Sequence, residues 1–345
     1  MNWNPNAKGE MRLLSVRDAV KIIESFLRPR WNLVKSQKDK DEIHRLADEL
    51  RKASGQSPHL SFSVVSDIHV QYWDAQAQGK FSAALEDLYR LNPNLDALVI
   101  NGDLGDGRPE DYAALNSILQ KHPLPKTVCY TIGNHEFYKA YYTTKEVWSP
   151  STFPNSESDR ASLERFLSFT QMSSVYYNRW IQGYHFIFLG PEQYRQSDPA
   201  NNEDAWLSSA QLNWLQKKLQ ENYVPHRPMF VFLHQPLQGT VSGSEERGVV
   251  QQVELKRLLS AYPEVFFFTG HTHWELRLPD TLVSDVFTMV NSSSVSSPYD
   301  SSNRPVQGYR SEGLVIDVYE EHVHIRGRDF ATQTWIAEAD YTVSL

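Results

Sequence analysis

The chain has 345 residues, 40 % hydrophobic and 12 % aromatic, a size and composition that exclude wholesale disorder and allow one large domain or two ordinary ones. Its formal net charge of −8 gives no general attraction to nucleic acid or anionic membrane, which disfavours a non-specific nuclease. The single cysteine, Cys129, rules out an intrachain disulfide and reads as a small buried side chain within the apolar run 127–132.

The first residues carry no apolar core of signal-peptide length, and later apolar runs stop after a few residues. A cytoplasmic protein without a transmembrane segment is therefore expected. Residues 1–58 differ from the rest. Val16, Ala19, Val20, Ile23, Phe26 and Leu27 recur at helical spacing, with Ser15 as N-cap and Pro29 behind the end. Ile43, Leu46, Ala47 and Leu50 stripe a second helix, and residues 54–58 break the pattern. These helices are expected to form an N-terminal extension, with the main domain over 59–345.

From there short apolar runs alternate with amphipathic segments. Strands are predicted over 60–65, 95–100, 127–132, 184–189, 229–233, 265–269 and 286–290, and helices over 81–91, 112–120 and around Leu212, Leu215 and Leu219. Residues 314–319 and 322–326 read as a closing hairpin. The class is α/β, with mixed sheets between helices and loops converging beyond the carboxyl ends of strands.

Five polar segments fall at such strand ends: Asp67-x-His69, Gly102-Asp103-Leu-Gly-Asp106, Gly133-Asn134-His135-Glu136, His234, and Gly270-His271-Thr-His273. Each has a plainer reading when taken alone. Asp67-x-His69 is also a solvated or capping pair, the 102–106 segment a turn, and His234 a satisfied core histidine. A calcium loop is excluded, because Tyr112 stands where an EF-hand starting at Asn101 needs glutamate. His322-x-His324 repeats the His-x-His spacing on the predicted surface hairpin, away from every motif, and reads as structural.

Together the five segments match D-x-H, G-D-x-x-D, G-N-H-[D/E], H and G-H-x-H, so the chain from about Leu60 onward resembles the calcineurin-like metallophosphoesterase family. Residues 210–215, before the His234 strand, resemble the family's usual helix. The resemblance implies a four-layer α/β/β/α sandwich of two mixed β-sheets. It implies one metal ion held by Asp67, His69, Asp103 and His273, and a second held by Asp103, Asn134, His234 and His271, with Asp103 shared. His135 would be the catalytic histidine and Asp106 its orienting partner. Mixed nitrogen and oxygen ligands suit manganese, iron or zinc better than calcium. The implied reaction is hydrolysis of a small-molecule phosphate ester, with a bridging water activated by the paired cations and His135 as the acid.

Departures from relatives narrow the resemblance. Gly107-Arg108 follows Asp106 where phosphoprotein phosphatases continue Asp-Arg-Gly, and Asp106 occupies the position of the purple acid phosphatase tyrosine ligand. Phosphodiesterases of the cyclic-nucleotide type are closer; a nuclease of the family and a non-catalytic scaffold are the alternatives. Arg108 and Arg195 are candidate phosphate contacts. The insertion holding Tyr138, Tyr141, Tyr142, Trp148, Phe153, Tyr176 and Tyr177 either packs onto the domain or caps the site.

Overall fold

The computed structural model of the protein describes residues 57–345; the expected N-terminal helices lie outside the described residues. In chain order the described elements are β1 (Leu60–Val65), α1 (Ala75–Leu91), β2 (Ala97–Asn101), α2 (Pro109–Lys121), β3 (Thr127–Thr131), α3 (Asp159–Thr170), β4 (Tyr177–Ile181), β5 (Tyr184–Phe188), α4 (Ser209–Gln220), β6 (Met229–Phe232), α5 (Gln252–Leu259), β7 (Val265–Thr269), β8 (Leu282–Ser284), β9 (Thr288–Asn291), β10 (Glu312–Val318), β11 (His322–Asp329) and β12 (Thr334–Ser344). The strands form two mixed six-stranded sheets, in the orders β12-β11-β10-β1-β2-β3 and β4-β5-β6-β7-β9-β8. Among the described residues no helix is long and apolar enough to cross a membrane.

Strand alternation explains the layers. In β1, Leu60, Phe62 and Val64 point between the sheets, where they meet Phe186, Phe188, Phe230, Phe232, Phe266 and Phe268 from the second sheet. Phe62 lies edge-on to Phe186 and Phe230, with ring centroids 5.0 and 4.9 Å away. Such pairs contribute about 0.5–1.5 kcal/mol beyond the area they bury. The opposite face of the first sheet presents Val65, Leu98 and Ile100 to Phe81 and Leu85 of α1 and to Leu115 of α2. The opposite face of the second presents Met229, Val231 and Phe267 to Leu215 of α4 and Leu255 of α5. The result is the four-layer α/β/β/α sandwich. Cys129 sits in the inter-sheet layer, where burial pushes its thiol up to about 12.

Several elements depart from expectation. α1 begins at Ala75 rather than near Phe81, because Asp74 Oδ1 accepts from the Gln76 and Ala77 amides and starts the helix ahead of its apolar stripe. The expected strand over 286–290 is β9, shifted toward the C-terminus and paired with the short antiparallel β8. α3 and β4 lie inside the aromatic insertion, and α5 had no predicted counterpart. The closing hairpin is extended by β12, whose polar, mostly half-exposed residues hide its pairing with β11. As a result His324 is buried rather than on a surface hairpin, with Nε2 2.7 Å from Asp340 Oδ1 of β12.

Candidate metal centre

β1, β2 and β3 run parallel, as do β5, β6, β7 and β9 in the other sheet, so within each sheet their carboxyl ends open on one rim. Asp67 and His69 follow β1, Asp103 follows β2, Asn134 and His135 follow β3, His234 follows β6, and His271 and His273 follow β7. The chain turns sharply there. Asp67, His69, Asp103, His271 and His273 adopt left-handed backbone conformations, with φ of 51°, 42°, 51°, 69° and 61°. Gly102 has φ of 84°, and a Cβ on it would run into the His234 ring, so the β2 loop approaches that imidazole only as glycine.

Backbone and neighbouring side chains hold one end of each polar group. Ser66 Oγ and the His271 amide donate to Asp67 Oδ2, at 2.6 and 3.0 Å. His234 Nδ1 donates to the Asn101 carbonyl at 2.7 Å, and His273 Nδ1 to the Ser297 carbonyl at 2.9 Å. The His135 amide donates to Asp103 Oδ1 at 3.0 Å. Glu136, fully buried, accepts the Leu104 amide at 2.7 Å and the Gly133 amide at 2.5 Å, tying the β2 and β3 loops together.

The opposite ends of these groups converge. Ligand atoms of Asp67, His69, Asp103 and His273 form one cluster, and those of Asp103, His234 and His271 a second, each within 4.8 Å, with Asp103 in both. Asp67 Oδ1, Asn134 Oδ1, His234 Nε2 and His271 Nε2 are buried without a hydrogen bond. Some approach one another closely: His273 Nε2 is 3.0 Å from Asp67 Oδ1, His234 Nε2 is 3.1 Å from Asp103 Oδ2, and His69 Nε2 is 3.0 Å from His273 Nε2. Donor atoms around 2.0–2.2 Å from a shared ion lie roughly 3–3.5 Å apart. Orphaned buried atoms cost free energy unless something pairs them, and nitrogen plus carboxylate donors without thiolate suit a transition-metal pair. The donor set fits two cations.

The charge balance agrees. Burial presses His69 and His271 down to about 3, leaving neutral imidazoles with lone pairs available. Burial acts on His234 in the same direction, but the Asp103 and Asp67 carboxylates prevail and raise it to about 10. Burial would lift Asp67, yet the neighbouring His273 and His234 hold it well below the usual carboxylate range. Two buried carboxylates in this ring demand positive charge.

His135 stands beside the cluster. Its Nδ1 lies 3.1 Å from Asp106 Oδ1, and its ring stacks on Tyr138 at 3.8 Å between centroids. Burial opposes its charge, but Asp103 and Asp106 raise it to about 9. Asp106 also accepts from Tyr142 at 2.6 Å and Gln71 at 3.3 Å. His135 and Gln71, with His69, Asp103, Asn134, His271 and His273, line a cleft of about 650 Å³ whose walls include Trp73, Tyr138, Arg247, Trp274 and Tyr299.

Neither predicted arginine lines that cleft. Arg108 is buried between the Tyr72 and Tyr142 rings and pairs with Glu146 at 2.7 Å; Arg195 donates to Tyr141 Oη at 2.9 Å. The cleft's arginine is Arg247, on a loop between β6 and α5, where residues 237–250 carry no motif. Most insertion aromatics pack on one another, as Tyr141 does on Trp148 at 4.9 Å, while Tyr138 reaches the cleft. Glu203, which accepts from Asn134 Nδ2 at 2.9 Å, also escaped the sequence reading, because nothing near it in the chain marks it.

A four-layer sandwich with nitrogen and carboxylate donors gathered at one rim is the arrangement of the metallophosphoesterase class. The calcineurin-like phosphoesterase family model matches residues 60–275, and the chain belongs to that family. It is 28 % identical over 227 residues to a 3',5'-cyclic-nucleotide phosphodiesterase of Nostoc sp. (strain PCC 7120), covering 63 % of this chain and 73 % of that one. Among solved structures it is similar to a dimetal phosphatase from Danio rerio, with a TM-score of 0.56 at 16 % identity, covering 84 % of this chain and 99 % of that one. The purple acid phosphatase PPD1 of yellow lupin gives a TM-score of 0.53 at 12 % identity, over 84 % of this chain and 54 % of that one. These two likenesses concern the fold.

Proposed function

We propose that the protein is a two-metal phosphodiesterase acting on small organic phosphodiesters. The observation that carries this reading is the pair of ligand clusters sharing Asp103, with the buried Asn134 Oδ1 and His271 Nε2 left without a hydrogen-bond partner. Asp67, His69, Asp103 and His273 hold one ion, and Asp103, Asn134, His234 and His271 the other. Manganese, iron and zinc all suit these donors. When bound, such a pair supplies activated water at neutral pH and offsets phosphate charge.

The remaining steps belong to the chain. His135, protonated and kept in orientation by Asp106, gives its proton to the leaving oxygen. Arg247, which has no ion pair among the described residues, meets the non-bridging oxygens from the cleft wall. The Nostoc phosphodiesterase supports a diester over a monoester, and the acidic chain supports a small substrate over nucleic acid.

Metal-stripped protein reloaded with manganese should bind two ions per chain and cleave bis(p-nitrophenyl) phosphate faster than p-nitrophenyl phosphate. Faster turnover of the monoester would overturn the diester preference, and failure to bind two ions would overturn the two-metal reading.

A further inference from the structure

We infer that Glu203 is a positioning residue which, through one buried carboxylate, sets both the ligand atom of Asn134 and the platform beneath His135. The inference rests on the two-metal reading above.

An asparagine offers a metal its carbonyl oxygen only if the amide is held against flipping, since oxygen and nitrogen occupy nearly equal volumes. Asn134 Nδ2 donates to Glu203 Oε2 at 2.9 Å, and its Oδ1 is buried with no hydrogen-bond partner. An acceptor-only carboxylate on one side thus leaves the oxygen facing the cluster. The same Oε2 accepts from Tyr138 Oη at 3.0 Å, and the Tyr138 ring is the one stacked on His135. Tyr194 Oη donates to the carboxylate at 2.8 Å, so three donors fix it.

The segment bearing Glu203 is anchored independently. Gln235, next to His234, donates from Nε2 to the Glu203 carbonyl at 3.3 Å. The Gly248 amide donates to Asp204 Oδ1 at 2.7 Å, and the Ala205 amide to the Gly248 carbonyl at 2.9 Å. The side chain therefore reaches the β3 loop while its backbone is joined to the β6 loop and to the Arg247 loop. Partners behind a ligand typically alter metal affinity about 10–100-fold.

The test uses the full chain, stripped of metal and titrated with manganese while electron paramagnetic resonance follows free, single and coupled ions. Wild type should take two ions and show the coupled signal. Glu203→Ala should bind one ion normally and the second about 10–100-fold more weakly, with the coupled signal returning at excess manganese and kcat falling more than KM rises. Glu203→Gln, whose carbonyl can still accept from Asn134, should show a smaller weakening at the same position; it decides the question if the alanine variant fails to fold. Wild-type affinity at both positions in the variants would overturn this inference alone. A wild type that never takes a second ion would overturn it together with the two-metal reading.

Discussion

Two His-x-His pairs with identical spacing meet opposite fates in this molecule. His271 and His273 leave the end of β7 on left-handed backbone, φ 69° and 61°, and join the two ligand clusters. His322 and His324 lie within β11, where the first stacks on Tyr319 at 4.6 Å and the second meets Asp340 at 2.7 Å. Among the described residues neither member of this second pair joins a cluster of metal-grade groups. Position at a strand end, with a turn that splays the side chains, distinguishes a candidate ligand pair from a structural one. Spacing does not.

The sharpest way to break that contrast is His271→Ala. Bound manganese should fall from two ions per chain to one, with the greatest loss of turnover among these variants. Retention of both ions would sink the assignment of the pair. His135→Ala should lower kcat about 10²–10⁴-fold while metal content stays at two, separating the proposed acid from the proposed ligands beside it. That loss should shrink for substrates with good leaving groups, measured across a series of aryl esters.

Proton competition sharpens the contrast further. In metal-free protein the neighbouring carboxylates raise His234 from its ordinary 6.5 to about 10. Its protonated form then contributes stability that is fully present below about pH 6.5 and is lost as pH rises through about 10. The urea midpoint of chelator-treated protein should therefore fall across that window. Manganese affinity should climb across it, because the proton must leave before the nitrogen can bind a metal. An affinity independent of pH would contradict the site. His324→Ala should show the smallest functional effect, leaving both ions and turnover in place while costing about 1–3 kcal/mol in urea unfolding from the lost bond to Asp340.

The same contrast shows what was legible in one dimension. Apolar runs followed by glycine and a polar group exposed the rim, because parallel strands deliver their ends to one place whatever lies between them. The strands that build the inter-sheet core were legible as short apolar runs, as at 60–65 and 229–233, but which side chains face the other sheet came only with the fold. β12 was not, since a half-exposed edge strand has little apolar signal, and His324 was misplaced with it. Glu203 and Arg247 were invisible because their roles come from loops that only the fold brings together. Arg108 looked available beside a motif, yet tertiary packing had enclosed it between two tyrosine rings.

The five left-handed residues at the rim have a wider consequence. Each such conformation outside glycine disfavours the folded state by about 1–3 kcal/mol, and it persists only where the surroundings over-determine it. Their cost is met from the margin of the whole fold, to which the phenylalanine layer between the sheets contributes. The rim and this layer are joined through Asn101, which donates to the Phe268 carbonyl at 3.4 Å and accepts from His234 at 2.7 Å. A shaved ring at Phe230 or Phe268 should first appear as leakage of bound ions at physiological temperature, well before the sandwich melts. Drift in the oily interior of such proteins is therefore constrained by the chemistry at their edge.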